Sequence, residues 1–265
     1  PQLHVTEEKI SMSNIKQAFT NGKAFIAFIT CGDPDLDTTA KTIRAAVENG
    51  ADLIELGIPF SDPTAEGPVI QGANIRALEG GITTDKVFDF VKELRRDVKI
   101  PLVFMTYANV VFSYGAERFM KRCSELSVDG IIIPDIPYEE KGEFSDVAKQ
   151  YGIDMISSVA PNSTDRAEMI AKDAEGFISI VPGQGASENL VEELAVTVEH
   201  VRKVSDIPCV VGFGISRTEK ASAMGAISDG VVARTAMVKL MKKYGKDSAK
   251  YVGEFVKSMK EAVNK

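Results

Sequence analysis

Eight short apolar runs separated by amphipathic stretches predict a (β/α)₈ (TIM) barrel with an extra helix before the first strand. Continuous apolar runs are typical of parallel strands covered on both faces, and eight strand–helix units in about 250 residues match a closed barrel. A doubly wound open sheet is the alternative, but it usually has fewer strands. No linker or low-complexity tract interrupts the pattern, so we expect one domain over residues 1–265.

The predicted strands are apolar runs that mostly end at glycine, proline or polar residues. They span Phe25–Thr30, Leu53–Gly57, Leu102–Thr106, Gly130–Pro134, Asp154–Val159, Gly176–Val181, Cys209–Phe213 and Gly230–Ala233. The predicted helices repeat apolar residues at helical spacing. They span Ile10–Thr20, Thr38–Asn49, Thr84–Val98, Ala116–Ser127, Glu139–Tyr151, Thr164–Asp173, Leu190–Val204, Arg217–Ala226 and Asp247–Val263.

The charge and hydropathy pattern excludes two classes of partner. The formal net charge is −7 and no basic face is visible, so we expect no nucleic-acid binding. No apolar stretch approaches the roughly 20 residues that a membrane-spanning helix needs, so we expect no membrane association. The polar start, Pro1–Lys9, lacks the apolar core of a signal peptide.

The cysteines and histidines limit the chemistry. Three cysteines lie far apart, without metal-ligand spacing, in or beside apolar runs. They predict buried, reduced thiols and a cytoplasmic protein. The two histidines, His4 and His200, lie at the start of the chain and on an amphipathic helix, where we expect surface positions. This distribution argues against a Ser-His-Asp hydrolase and against a histidine-rich metal site.

The second predicted strand and its loop carry the most informative residues. A buried strand rarely contains a glutamate unless that glutamate is paired or takes part in a reaction, and Glu55 lies in such a strand. Glu66 follows in the loop, and Tyr107 and Asp135 follow the third and fourth strands. Catalytic groups of these barrels lie at the carboxyl ends of the strands, so we expect these side chains at one rim.

The loops after the sixth, seventh and eighth strands predict a phosphate site. Gly214 leads into a helix, and Thr235 lies where the last strand passes into the next helix. Free backbone N–H groups and the helix dipole favour an anion at such positions. Arg234 adds a positive charge, and Gly185 lies in the neighbouring glycine-rich loop. Barrel enzymes commonly bind phosphate at these last loops.

Five motifs, in order and with compatible spacing, resemble those of the tryptophan synthase α subunit family. They are Phe28–Pro34, Glu55–Gln71, Met105–Asn109, Asp129–Asp135 and Val211–Ser216. The resemblance covers nearly the whole chain. It implies retro-aldol cleavage of indole-3-glycerol phosphate to indole and glyceraldehyde 3-phosphate, without metal or organic cofactor. It also implies an α2β2 complex for tryptophan biosynthesis, in which a pyridoxal-phosphate β subunit consumes the indole.

The resemblance assigns roles to individual residues. It makes Glu55 the acid/base that moves protons at indole C3 and at the glycerol hydroxyl, a task that suits a partly desolvated carboxyl group. It makes Glu66 the second carboxylate, which accepts the indole N–H as positive charge develops. The family usually has aspartate there. Phe28 and Tyr107 match residues lining the indole site, and Asp135 lies in a matching motif near the substrate.

Two further loops depart from the family pattern. The usual Gly-Val-Thr-Gly loop after strand six is replaced by a shorter segment in which Ser187 takes the place of the threonine. The usual Gly-Ser after strand eight is Arg234-Thr235, so we expect Arg234 either to point outward or to bind the phosphate itself. Gln184 and Arg234 also resemble the phosphate gripper of orotidine-phosphate-decarboxylase-type barrels, but the Asp-x-Lys-x-x-Asp motif of that family is absent.

Two alternatives to the lyase remain open at the level of sequence. One is a catalytically weak subunit that mainly activates a β partner. The other is a related phosphate-binding barrel that acts on a different phosphorylated substrate.

Overall fold

One parallel sheet forms the centre of the molecule, and its strand order places the first and last strands side by side. The computed structural model describes residues 12–161, 164–182, 189–212 and 214–265. Within them the order is β5-β4-β3-β2-β1-β9-β8-β7-β6. The strands are β1 (Ala24–Thr30), β2 (Leu53–Gly57), β3 (Leu102–Met105), β4 (Gly130–Ile132), β5 (Asp154–Met155), β6 (Ser157–Val159), β7 (Ile178–Ile180), β8 (Cys209–Val211) and β9 (Gly230–Ala233).

The ninth strand arises because the predicted fifth strand is divided at Ile156. Its first half, β5, pairs with β4, whereas its second half, β6, pairs with β7. The backbone N–H of Ile156 still bonds to the carbonyl of Ile131 at 2.9 Å, so the chain runs on between the two halves. Taken as one bent strand, β5 and β6 give the eight strands of the predicted (β/α)₈ barrel, which is confirmed.

The helices cover the sheet and alternate with its strands. Within the described residues they are α1 (Leu36–Glu48), α2 (Pro68–Glu79), α3 (Thr84–Leu94), α4 (Ala108–Tyr114), α5 (Ala116–Glu125), α6 (Gly142–Gln150), α7 (Thr164–Ala171), α8 (Leu190–Arg202), α9 (Thr218–Ile227), α10 (Thr235–Tyr244) and α11 (Ser248–Val263). Helices α2 and α4 were not predicted, and only the start of α10 was. The predicted opening helix is a short 3₁₀ helix, Ile15–Phe19; residues 10 and 11 of the predicted span lie outside the described residues.

Two apolar clusters divide the core, one inside the barrel and one between sheet and helices. Because successive strand side chains point to opposite faces, Leu53 belongs to the inner cluster and Ile54 to the outer one. By the same alternation Glu55 faces the interior. Ile15 and Ala18 of the 3₁₀ helix pack into the inner cluster. The amino end of the barrel is therefore filled by apolar side chains, and the carboxyl end is left for polar ones.

The three cysteines are buried and free, as predicted. Burial raises the pKa of the Cys31 and Cys123 thiols well above the ordinary value and that of Cys209 to about 12. Desolvation penalises the thiolate, so these groups stay neutral. In the part of the chain that the structure describes, no helix combines the length and the apolar character needed to cross a bilayer.

Candidate active site

Glu55 is a fully buried carboxylate inside the barrel, with none of its side chain exposed. Its register partners on the neighbouring strands are Phe28 and Val103, both of which belong to the inner apolar cluster. A lone charge in such surroundings would be costly, so a partner is required. Arg234 is that partner: its Nε lies 2.9 Å from Oε2 of Glu55 and its Nη2 lies 3.2 Å from Oε1.

The guanidinium of Arg234 therefore points inward, which neither of the sequence-based alternatives anticipated. Arg234 follows β9 directly and has the same parity as Val232, which belongs to the inner cluster. Burial is the largest single influence on its pKa and lowers it. The charge and hydrogen bonds of Glu55, together with the charge of Glu66, outweigh burial and leave the pKa above its ordinary value. Arg234 is thus a cation that is hydrogen-bonded to Glu55 and influenced by the charge of Glu66.

Glu66 lies close to this pair, in the loop between β2 and α2. Burial raises the pKa of its carboxyl group, the Arg234 charge opposes that shift, and the Glu55 charge adds to it. Three side-chain hydrogen bonds hold the loop: the Asn74 amide oxygen accepts the Phe60 N–H at 2.9 Å, the Tyr107 hydroxyl accepts the Ala65 N–H at 3.2 Å, and the Gln71 amide donates to the Glu66 carbonyl at 2.8 Å. The structure thus brings the two predicted catalytic carboxylates together.

A small cavity is lined by Glu66 and by the two aromatic residues that were predicted to contact indole. Its volume is about 10 Å³, enough for about one water molecule. Its lining includes both predicted aromatic residues, and consists of Phe28, Thr30, Gly57, Ile58, Glu66, Ile70, Asn74, Met105 and Tyr107. An indole ring does not fit this volume.

The aromatic residues of this cavity are fixed by close contacts. A Cβ on Gly57 would lie 2.9 Å from the Phe28 ring, so only glycine fits beside that ring. The Tyr107 ring stacks on Phe60 with centroids 5.3 Å apart. Burial, followed by the charge of Glu66, raises the pKa of the Tyr107 hydroxyl and keeps it neutral. Both predicted pocket residues therefore lie beside Glu66.

A second cavity, of about 290 Å³, lies at the carboxyl ends of β8 and β9 and contains three of the four predicted phosphate-binding residues, Gly214, Arg234 and Thr235. It is lined by Gly212, Gly214, Ile215, Ser216, Val232, Arg234, Thr235, Ala236 and Lys239. Gly214 has a φ of +61°, which favours glycine, and the Lys220 amine lies 3.1 Å from where its Cβ would be. No side chain caps the start of α10 at Thr235, so its N–H groups can bind an anion.

The remaining predicted site residues are not part of these two cavities. Asp135 is exposed, and its Oδ1 accepts the Ala108 N–H at 3.0 Å, which ties the loop after β4 to the start of α4. Its contact with substrate stays a prediction. Gly185 and Ser187 lie outside the described residues. His200, expected at the surface, is half-buried and its Nδ1 lies 2.6 Å from Glu168.

Three residues of the rim were missed by sequence reasoning. Asn74 is a buried polar residue on the apolar face of α2, and this misplaced polarity was the available signal. Arg76 forks onto Asp33, with Nε–Oδ1 at 2.8 Å and Nη2–Oδ2 at 2.7 Å, and so joins α2 to the loop after β1. The hydroxyl of Thr30 is buried and has no hydrogen-bond partner among the described residues.

This arrangement brings together the groups that acid–base cleavage of a substrate with an aromatic and an anionic end requires. Glu55 is beside Phe28, which lines the cavity that holds aromatic rings and a second carboxylate, and it is bonded to Arg234, which lines the cavity that holds cations and free backbone N–H groups. Acid–base chemistry at the centre, with binding at both ends, follows from the geometry.

Comparison with known proteins identifies relatives along nearly the whole chain. The family model described as "Tryptophan synthase alpha chain" matches residues 12–264. The tryptophan synthase alpha chain of Lacticaseibacillus casei is 42% identical over 256 residues, covering 96% of both chains. That of Alkaliphilus metalliredigens is 43% identical over 247 residues, covering 91% of this chain and 93% of the relative.

Solved structures show the same likeness. The tryptophan synthase subunit alpha of Legionella pneumophila matches with a TM-score of 0.87 and 32% identity, covering 96% of this chain and 99% of that one. A chain from the tryptophan synthase α2β2 complex of Pyrococcus furiosus matches with a TM-score of 0.82 and 32% identity, covering 90% and 98%. The resemblance seen in the motifs is thereby confirmed, and the chain belongs to the tryptophan synthase alpha chain family.

Proposed function

We propose that this chain cleaves indole-3-glycerol phosphate to indole and glyceraldehyde 3-phosphate. The observation that carries the proposal is the buried carboxylate of Glu55, whose register partner Phe28 lines the aromatic cavity and whose ion-pair partner Arg234 lines the anion cavity. The family membership supplies the substrate, and this geometry supports its placement, with the indole beside Glu66 and the phosphate beside Thr235.

The reaction needs two proton movements at one carbon–carbon bond. Glu55 delivers a proton to indole C3, and the resulting positive charge on the ring is stabilised by Glu66, which accepts the indole N–H. Glu55, now a carboxylate, then takes the proton from the hydroxyl on the adjacent glycerol carbon. That oxygen becomes the aldehyde, the carbon–carbon bond breaks, and its electrons return to the ring to give indole. The side chains of this chain supply the proton transfers, and no metal or organic cofactor takes part.

A β subunit is the proposed partner. The α2β2 complex of Pyrococcus furiosus, described as mutually activating, contains a chain that matches this one over 90% of its length. The loop between β2 and α2 joins Glu66 to the outer rim, so a partner docked over that rim would order the loop and raise turnover. Pyridoxal phosphate belongs to the partner. We place the single 1–265 barrel domain in the cytoplasm, where its buried thiols stay reduced.

The test is indole release from indole-3-glycerol phosphate, measured with and without a β subunit. We expect release by the isolated chain and faster release with the partner. No indole under either condition, from folded protein, would contradict the lyase.

A second candidate is a catalytically weak subunit that mainly activates its β partner. The observation that favours it is the bidentate hold of Arg234 on both oxygens of Glu55, because a carboxylate bound in this way is hindered as an acid or base. This candidate predicts faster tryptophan synthesis by the β subunit from added indole, without indole release from indole-3-glycerol phosphate. The two assays on one preparation therefore separate the two functions.

A further inference from the structure

The guanidinium of Arg234 lies between Glu55 and the anion cavity. Its Nε and Nη2 are bonded to Glu55 at 2.9 and 3.2 Å. Its Nη1 lies on the other side, 3.3 Å from where a Cβ on Gly212 would be, and Arg234 lines the cavity together with Gly214 and Thr235. One side of the guanidinium holds the acid/base, and the other faces the place that would bind phosphate.

The proposed reaction cannot run while this pair is closed. Both carboxylate oxygens of Glu55 accept hydrogen bonds from Arg234, so the carboxyl group is held toward the guanidinium and not toward an indole C3 that must receive its proton. The pair must therefore open during each turnover. Opening without compensation would leave two buried charges unpaired, which is costly.

The substrate brings the compensation with it. A phosphate group carries nearly two negative charges and accepts bidentate hydrogen bonds from arginine. The cavity already holds cationic groups, with Lys239 in its lining and the Lys220 amine above Gly214. A phosphate bound there competes with Glu55 for the same guanidinium.

We propose that Arg234 is a positioning residue that couples phosphate binding to the release of Glu55. Without substrate it holds Glu55 in a closed ion pair. When a phosphorylated substrate enters, the guanidinium turns to the phosphate, and Glu55 becomes free to move protons at the indole. The inference rests on the proposed function, and it makes the phosphate a condition of catalysis as well as a means of binding.

The first test measures competition without catalysis. Inorganic phosphate is titrated by calorimetry into the wild type, Glu55→Gln, Arg234→Gln and the double variant. If Glu55 and phosphate compete for Arg234, Glu55→Gln frees the guanidinium and raises phosphate affinity about tenfold, since a charge-assisted hydrogen bond is gained. In the Arg234→Gln background, the gain in phosphate affinity from Glu55→Gln should be at least threefold smaller. The double-mutant cycle measures this difference as the coupling between the two residues.

A matched control separates this coupling from the change in net charge. Arg166 donates from Nη1 and Nη2 to the two carboxylate oxygens of Glu139, at 2.7 and 2.8 Å. Neither residue lines the anion cavity. Glu139→Gln removes one negative charge as Glu55→Gln does, and we expect it to leave phosphate affinity unchanged. Equal or weaker binding by Glu55→Gln than by the wild type overturns the proposal. An equal gain with and without Arg234 overturns it as well, because mere charge removal would then suffice, and so does absence of phosphate binding in all variants.

The second test uses the wild type and so does not depend on the folding of any variant. Crystals soaked with inorganic phosphate should show the guanidinium within hydrogen-bond distance of a phosphate oxygen and at least one bond to Glu55 broken. Phosphate bound beside an intact pair would overturn the coupling. The proposed function fails separately, through the absence of indole release from indole-3-glycerol phosphate, so the two failures are distinguishable.

Discussion

Two buried arginine–carboxylate pairs lie at opposite ends of the barrel, and their surroundings differ. At the amino end, Arg95 binds Asp129 at 2.9 Å and also donates to the carbonyls of Val98, Ile100 and Ser127. At the carboxyl end, the hydrogen bonds of the Arg234 side chain to other described residues both go to Glu55. The first arginine is held largely by backbone, and the second only by a side chain.

The carboxylates repeat this difference. Asp129 accepts two backbone N–H groups, from Asn14 and Leu102, each at 2.8 Å, and so connects β3, β4 and the segment before the first helix. Burial lowers the pKa of Arg95 more than Asp129 raises it, whereas the pKa of Arg234 is raised. Backbone partners cannot leave without unfolding, but side-chain partners can be exchanged. The amino-end pair is therefore structural, and the carboxyl-end pair is suited to a reaction.

The largest expected effect on activity is that of Glu55→Gln. The amide keeps the shape of the side chain but cannot shuttle protons, so kcat for indole release should fall about 10²–10⁴-fold. Steady-state kinetics of the Glu55→Gln variant measures this loss. Asp129→Asn, at the amino end, is the control, and we expect its folded fraction to keep the kcat of the parent. A Glu55→Gln variant that keeps more than about a tenth of the activity would remove Glu55 from the mechanism.

The next largest effect concerns stability, and it belongs to the other end of the barrel. Asp129→Ala leaves the buried Arg95 charge and two backbone N–H groups without their acceptor, so unfolding free energy should fall by about 3–5 kcal/mol. Urea unfolding followed by circular dichroism measures it. A loss below about 1 kcal/mol, typical of exposed pairs, would mean that this pair is not structural.

Substitutions of Glu66 should have effects of intermediate size on activity. Glu66→Ala should remove most activity, whereas Glu66→Asp restores the usual residue of the family and should stay within about tenfold of the parent, or roughly 1.4 kcal/mol. Glu66 must be ionised to accept the indole N–H, and burial raises its pKa, so activity should fall on the acid side at a higher pH than an exposed glutamate would give. An Ala variant with unchanged kcat/KM would exclude the second carboxylate.

The pKa of Glu66 also depends on the charge of Arg234. Arg234 lowers the pKa of Glu66, so Arg234→Gln should move the acid limb of the activity profile to higher pH. The raised pKa of Glu66 also affects the free energy of unfolding. The stabilising contribution of the protonated carboxyl group is fully present below the pKa of the unfolded chain and is lost as pH rises through the pKa of the folded protein. Glu66→Gln should therefore be more stable than the parent at neutral pH in urea unfolding. An acid limb that does not move would show that the Arg234 charge is not felt at Glu66.

The smallest effect is expected for a pair that resembles Glu55–Arg234 in shape but is exposed. Arg166 forks onto Glu139 and, first among several causes, lowers the pKa of that carboxyl group to about 2. Its stabilisation would be present above the unfolded pKa and lost as pH falls through about 2. Because solvent screens this pair, Glu139→Gln should leave the urea midpoint at pH 7 unchanged within error. A clear destabilisation would show that bidentate geometry stabilises the protein even when the ion pair is exposed.

The sequence was informative where a local pattern determines structure. The strand Leu53–Gly57 was predicted with its observed bounds, because an apolar run there meets a glycine and a proline. Helix α2 was missed because its buried face consists of Ile70, Ala73, Asn74 and Ala77, in which small and polar residues weaken the apolar signal. Glu55 was chosen as the candidate acid because a charged residue is unusual in a buried strand, and its burial is confirmed.

The partner of that acid could not be predicted in the same way. Arg234 lies in a loop position where the family usually has a small residue, and sequence reasoning considered only solvent and phosphate as its environment. Its side chain points inward because side chains alternate between the two faces along β9. It reaches Glu55 because β9, β1 and β2 are neighbours in the sheet. That adjacency is a property of barrel closure, which brings the end of the chain next to its beginning and is not written in any local window.

Glu55 and Arg234 are separated by 179 positions in the chain. On a ribosome adding about 5–20 residues per second, roughly 10–40 s pass between the synthesis of the acid and that of its cation. During that time β2 can pair with β1 and β3, but its carboxylate has no guanidinium to bind, and burying it alone is unfavourable. The centre of the barrel should thus stay hydrated until β9 and the start of α10 emerge. A nascent chain arrested before Arg234 would carry Glu55 in contact with water.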